Sequence, residues 1–145
     1  MLYIIPTPIG NIQDITLRGL NLLKELEIFL CEDTRTSKKL MNLYNIDYSN
    51  KQFFSITSYT SEGKIEFYKK LIEETNVGLL SDAGTPGLSD PGKNIIKIIT
   101  ENNIKFETLP GASAIIPGVV SSGFDTSKFI YLGFLPKKKM KTKIY

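Results

Sequence analysis

The side chains available for chemistry are carboxylates, hydroxyls and guanidinium groups. Glu32-Asp33-Thr34-Arg35 sets two adjacent acids and an arginine directly after the apolar run Ile28–Cys31. Such a cluster can orient a hydroxyl or grip a phosphate. It can equally be an ordinary helix start, with acids at the positive dipole end and Arg35 paired locally. Asp82 lies in the Gly/Pro-rich stretch Ser81–Gly92, where it can pair with an ammonium group or accept a hydroxyl. Ser113 follows Leu109-Pro110-Gly111-Ala112 and can hydrogen-bond an adenine or a carboxylate. The 145 residues contain no histidine, which removes His general bases, Ser-His triads and His metal ligands from this sequence. Cys31 is alone, so it forms no intramolecular disulfide, a zinc site of the usual kind is not expected, and no metal is invoked. It reads as a small buried residue.

The elements that must position these groups can be read from apolar spacing. Short apolar runs at Leu2–Ile5, Ile28–Cys31, Gln52–Ser55, Val77–Leu80, Lys105–Leu109 and Phe129–Leu132 read as strands. Helical spacing joins Leu17, Leu20, Leu22, Leu23 and Leu26 behind a cap at Asp14 or Thr16. A second helix begins at Thr34 or Thr36 and runs to about Leu43. A third begins at Ser61 and buries Ile65, Tyr68 and Ile72. Asp90-Pro91 starts a fourth, with the stripe Ile95, Ile98 and Ile99. A small apolar helix spans Ser113–Ser122, with Pro117 expected to kink or shorten it and Gly123 to stop it.

Strands and helices alternate throughout. That pattern predicts an α/β domain with a mainly parallel sheet and helices on both faces. Ligands of such sheets bind at the carboxyl ends of strands. The loops Pro6–Asn11, Ser81–Gly92 and Leu109–Ala114 are all expected on that one edge. Proline fixes φ and glycine admits positive φ, so these loops are stiff and present their own N–H and C=O groups. Taken singly, each can be no more than a tight strand-to-helix turn. None contains the G-x-x-x-x-G-K-[ST] or G-x-G-x-x-G patterns, so phosphate cradling and dinucleotide binding are poorly supported.

Composition is that of a globular protein, 41% hydrophobic and 23% charged, and 145 residues suit one domain. The net charge of +3 comes from Lys137, Lys138, Lys139, Lys141 and Lys143; without them 13 basic groups face 15 acidic ones. The body of the domain is therefore slightly acidic. The lysine run reads as a solvated linker or, alternatively, as an RNA-contacting segment. No apolar run approaches the roughly 20 residues that span a bilayer, and the first ten lack a basic leader region. A cytoplasmic protein with no membrane partner is the expectation.

Six segments, in order and spacing, resemble one family: Tyr3–Asn11, Asp14-Ile15-Thr16, Glu32–Arg35, Ser81–Pro86 with Asp90-Pro91-Gly92, Leu109-Pro110-Gly111, and Gly133-Phe134-Leu135-Pro136. The sequence resembles the rRNA (cytidine-2′-O)-methyltransferases of the tetrapyrrole methylase superfamily. The resemblance implies a two-domain α/β enzyme, usually a homodimer, with S-adenosyl-L-methionine held between its domains. The implied reaction methylates a cytidine ribose 2′-hydroxyl in the 16S rRNA of the small ribosomal subunit. By similarity, Pro8, Ile9, Gly10, Asp82, Ala83, Gly84, Thr85, Ser113 and Ala114 fall on cofactor-binding positions. Asp33 and Glu32 are the candidates for the base or acceptor at the ribose hydroxyl, and Arg35 for an RNA phosphate. The resemblance also implies that residues 1–133 are the cofactor-binding domain and 134–145 the lysine-rich start of a linker to a second domain beyond Tyr145.

Two departures from the family pattern stand out. Ser58-Tyr59-Thr60-Ser61-Glu62 replaces a His/Asn/Glu-rich stretch, so only Glu62 corresponds to it. A second domain, with half of the cofactor cleft, is not in the sequence. A methylase acting on a corrin or porphyrin, and a non-catalytic cofactor-binding or dimerisation fragment, are the competing readings.

Overall fold

A computed structural model of the chain describes residues 1–134. Five strands, β1 (Leu2–Ile4), β2 (Ile28–Cys31), β3 (Gln52–Ser55), β4 (Val77–Leu80) and β5 (Phe106–Thr108), form one sheet in the order β3-β2-β4-β1-β5. Every pairing is parallel. Five helices, α1 (Leu17–Glu25), α2 (Thr34–Leu43), α3 (Glu62–Glu74), α4 (Gly92–Glu101) and α5 (Ile115–Ser121), alternate with them. The expected α/β architecture with a parallel sheet is therefore the observed one.

Alternation along each strand sends apolar side chains to two separate cores. Leu2, Ile4, Leu30, Val77 and Leu79 meet Tyr68 and Ile72 of α3 and Ile95 and Ile99 of α4. Ile5, Phe29, Cys31 and Leu80 meet Leu23 of α1 and Met41 of α2 on the opposite face. Gly78, at the sheet centre, leaves room for an aromatic ring: a Cβ there would stand 2.6 Å from Phe29 Cδ1. Phe29 in turn stacks on Phe53, with ring centroids 5.6 Å apart.

The caps follow from the sequence. The Thr16 hydroxyl accepts from the Gly19 N–H at 3.0 Å. α2 begins at Thr34 as expected, and Asp33 caps it, accepting from the Arg35 N–H at 2.8 Å. Asp90 Oδ1 accepts from the Gly92 N–H at 2.7 Å and Asp90 Oδ2 from the Gly87 N–H at 2.8 Å, so one carboxylate closes the long loop just ahead of α4, although Pro91 is the cap residue and Gly92 the first helical one, a position later than expected.

Compact packing divides the chain at Ala114 into a unit of Met1–Ala114, which holds the whole sheet, and a second unit from Ile115. Two expectations fail in or next to the second unit. Phe129–Leu132 is not a strand; its four side chains are exposed. A strand exists only through pairing, and this run has no strand partner among the described residues. The last helix starts at Ile115 rather than Ser113. The helix is also shorter than the expected Ser113–Ser122, and Pro117 occupies its first turn, where its missing N–H has no intrahelical acceptor to lose. Leu135, Pro136 and the lysine run lie outside the described residues.

Candidate functional site

Sheet order decides where a ligand can enter. β4 lies between β2 and β1. The helices after β1 and β2 pack on one face, and α4, after β4, packs on the other. Adjacent strands whose helices leave to opposite faces open a crevice at their carboxyl ends. The loops after β1, β2 and β4 all lie at this crevice, and the loop after β5 flanks it.

Backbone and hydroxyl contacts lock these loops together. Thr7 and Gly84 form an isolated antiparallel bridge, with both N–H···O distances 3.0 Å. Gly84 sits at φ +83°, a conformation that excludes most side chains. Thr85 Oγ1 donates to the Ala112 carbonyl at 3.2 Å, which joins the second loop to the third. Gly111 lies so near Pro6 that a Cβ would stand 2.6 Å from the proline Cβ, which joins the third loop to the first. The three loops are one interlocked surface.

A carboxylate cluster borders that surface. The Asp33 N–H donates to Asp82 Oδ1 at 3.2 Å, and the Asp82 N–H donates to Glu32 Oε2 at 3.2 Å. This reciprocal clasp ties the β2 turn to the β4 loop. Arg35 grips Asp33 through Nη2–Oδ2 at 2.6 Å and Nε–Oδ1 at 3.1 Å. The guanidinium holds the Asp33 carboxyl down to about 2. Burial pushes Asp82 up from the ordinary carboxylate range, and the Asp33 charge adds to the shift. Asp33 is thus a firm hydrogen-bond acceptor but a weak proton acceptor at neutral pH. The local Arg35–Asp33 pairing is the one expected of a plain helix start, yet Arg35 remains 89% exposed at its side chain. Cys31 is buried, and burial drives its thiol up to about 12, well away from nucleophilic use.

The structure brings most of the sequence-derived positions to this edge. Ile9, itself 43% exposed, comes close to Gly84, where its Cγ2 would lie 3.4 Å from a Cβ. Pro8 is half-buried and Gly10 exposed beside it. Asp82 and Ala83 are exposed, Thr85 is half-buried, and Ser113 and Ala114 close the third loop ahead of α5 instead of opening it. Glu62 is the first residue of α3, in the loop region after β3, and Tyr59 nearby is 94% exposed. Sequence reasoning missed Thr7 and Ser81, which are buried hydroxyls inside the loops it singled out. Their signal was a polar residue flanked by proline or following a wholly buried strand. A surface cleft of about 320 Å³, lined by Tyr3, Glu25, Glu27 and Asn76 among others, opens at the amino ends of the strands and takes no part in this edge. Among the described residues no group of three His, Cys, Asp or Glu side chains is arranged to hold a metal ion, and no helix is long and apolar enough to cross a membrane.

The architecture is an α/β domain whose interlocked loops converge at the reversal point of a parallel sheet. The chain belongs to the Tetrapyrrole (Corrin/Porphyrin) Methylases, whose family model matches residues 1–142. Proteins named ribosomal RNA small subunit methyltransferase I are similar to it. The one from Helicobacter pylori (strain 26695) is 39% identical over 155 residues, covering 99% of this chain and 54% of its own length. The one from Thermotoga maritima is 40% identical over 144 residues, covering 99% of this chain and 64% of its own length. The chain therefore spans about half to two thirds of the length of the curated relatives it matches. Among solved structures, uroporphyrin III C-methyl transferase from Thermus thermophilus shares the fold, with a TM-score of 0.59 at 17% identity over 84% of this chain and 51% of that one. A putative cobalamin synthesis related protein from Corynebacterium diphtheriae does so with a TM-score of 0.57 at 16% identity, over 85% of this chain and 58% of that one.

Proposed function

We propose that this chain is the cofactor-binding part of an S-adenosyl-L-methionine-dependent methyltransferase acting on a cytidine ribose 2′-hydroxyl of 16S rRNA in the small ribosomal subunit. The observation that carries the reading is the carboxylate clasp of Glu32, Asp33 and Asp82 set against the interlocked loops. Three carboxylates face one guanidinium there, so the edge is net negative and favours a cationic ligand over a polyphosphate. S-adenosylmethionine fits: it bears an ammonium and a sulfonium charge, and when bound it supplies an electrophilic methyl group. Relatives named as ribosomal RNA methyltransferases, 39–40% identical, support the RNA reading over a porphyrinoid one.

In this reading Asp82 holds a cationic or hydroxyl group of the cofactor. Pro8, Ile9, Gly10, Ala83, Gly84, Thr85, Ser113 and Ala114 line it. Asp33, kept ionised by Arg35, accepts a hydrogen bond from the ribose hydroxyl and aligns its oxygen, with Glu32 beside it. The outward side of Arg35 meets an RNA phosphate. Residues 1–133 act as the cofactor-binding domain, residues 134–145 begin a linker, and the working protein is a cytoplasmic homodimer.

Calorimetric titration with S-adenosylmethionine tests the reading. Heat fitting a micromolar dissociation constant supports a working half-site; none at millimolar ligand overturns it in favour of a non-catalytic fragment. Tritiated methyl transfer to small ribosomal subunits, and none to uroporphyrinogen, is the expected substrate pattern. The opposite pattern would assign a tetrapyrrole methylase.

A further inference from the structure

We propose that the Thr7 and Ser81 hydroxyls are positioning groups that set the geometry of the ligand edge, a role that rests on the reading above only for the identity of the ligand. Thr7, Ser37 and Ser81 are the buried polar residues among those described, and two of the three stand at this one place. Thr7 is 1% exposed and its Oγ1 donates to the Ser81 carbonyl at 3.2 Å. Ser81 is 6% exposed and its Oγ donates to the Gly84 carbonyl at 3.1 Å. The Gly84 carbonyl also takes the Thr7 N–H, and the Gly84 N–H returns to the Thr7 carbonyl, both at 3.0 Å. Residues 7, 81 and 84 form a closed ring of hydrogen bonds.

What the ring encloses gives it meaning. Asp82 and Ala83 lie between the two pinned carbonyls of Ser81 and Gly84. Asp82 is held on its other side by the bond from its N–H to Glu32. These two exposed residues are therefore fixed from beneath at both ends, and the Pro8-Ile9-Gly10 turn is fixed to them through Thr7. A buried hydroxyl costs stability unless it is hydrogen-bonded, so an apolar side chain would serve a purely packed turn at least as well. Hydroxyls here trade that simplicity for a defined spacing between Ile9 and Asp82, the two sides on which a ligand rests.

The test uses Thr7→Val, nearly the same shape without the donor, together with Ser81→Ala, Thr7→Ser and Tyr68→Phe. Tyr68→Phe removes a comparable hydroxyl-to-carbonyl bond, 3.0 Å to Ser55, at the outermost strand. Amide hydrogen exchange reads the ring without any ligand. Exchange at the Thr7 and Gly84 amides should rise about fivefold or more in Thr7→Val and Ser81→Ala, with Leu79 unchanged and Thr7→Ser close to the parent. Equal acceleration at Leu79, or none at Gly84, overturns the proposal. Calorimetry with S-adenosylmethionine reads the consequence: affinity should fall about fivefold or more in Thr7→Val and hold in Tyr68→Phe, even though both lower the melting midpoint. Parent affinity in Thr7→Val also overturns it. A parent chain that binds no S-adenosylmethionine yet shows the expected exchange pattern overturns the methyltransferase reading and leaves the ring's control of the edge intact.

Discussion

Asp33 and Arg35 show how two residues can set each other's chemistry. With its carboxyl held at about 2 instead of 3.8, Asp33 contributes stability that is fully present above the ordinary value and is lost as pH falls through about 2. Arg35→Gln should return the Asp33 titration toward 3.8, read as the carboxyl carbon shift in an NMR titration. In a full-length relative, replacing the aspartate equivalent to Asp33 with asparagine should lower turnover more than cofactor affinity, since the amide still accepts a hydrogen bond but no longer carries the charge that steadies the arginine. Equal losses in both would refute that division. At the sheet centre, Gly78→Ala drives a methyl into the Phe29 ring, 2.6 Å from Cδ1, and should cost about 1–3 kcal/mol in denaturant unfolding. Carboxylates and glycines at strand ends were legible as chemistry because few residue types do those jobs. Thr7 and Ser81 were not, because a hydroxyl's role depends on which carbonyl it meets.

At the scale of elements, apolar spacing identified β1 to β5 and α1 to α4 with ends within about two residues; β1, β2, β4 and the four helices bury residues on a clear period, while β3 and β5 are edge strands that bury none fully. The failures belong to segments after Ala114, which bury no apolar residue among the described residues. Phe129–Leu132 has strand composition but no strand partner among the described residues, and composition carries no information about partners. The α5 start moved by two residues because Ser113 belongs to the loop that closes on Thr85 through Ala112. The cap before α4 was readable because Asp-Pro has a specific mechanism there. Asp90→Ala removes the acceptor for both Gly87 and Gly92 and should destabilise by about 1–2 kcal/mol, seen as a lower denaturation midpoint with an unchanged m-value.

For the whole molecule, alternation of strands and helices announced a sheet covered on both faces, and the two cores are the result. What spacing could not supply was strand order, which depends on contacts between residues far apart in the chain. Among the described residues the buried hydrophobics all fall between Leu2 and Leu109. A chain ending at Ala114 should therefore keep its far-ultraviolet circular dichroism per residue and unfold cooperatively within about 1 kcal/mol of the parent; loss of cooperativity would show that later residues complete the core.

Strand order also sets a schedule. Of the five strands β1 is made first, but both of its neighbours, β4 and β5, are made after the other two, with Leu2 pairing to Val77 and to Phe106. On a ribosome, the opening strand has to wait until Val77 has been made for a strand to pair with, while β2 and β3 can already pair with each other. Such long-range parallel closure is slow and leaves an apolar strand open to wrong partners. The bridge from Thr7 to Gly84 then forms only when that wait ends, so the interlocked loops are among the last parts of this sheet to take shape, and a nascent chain paused before β4 has no such loop surface at all.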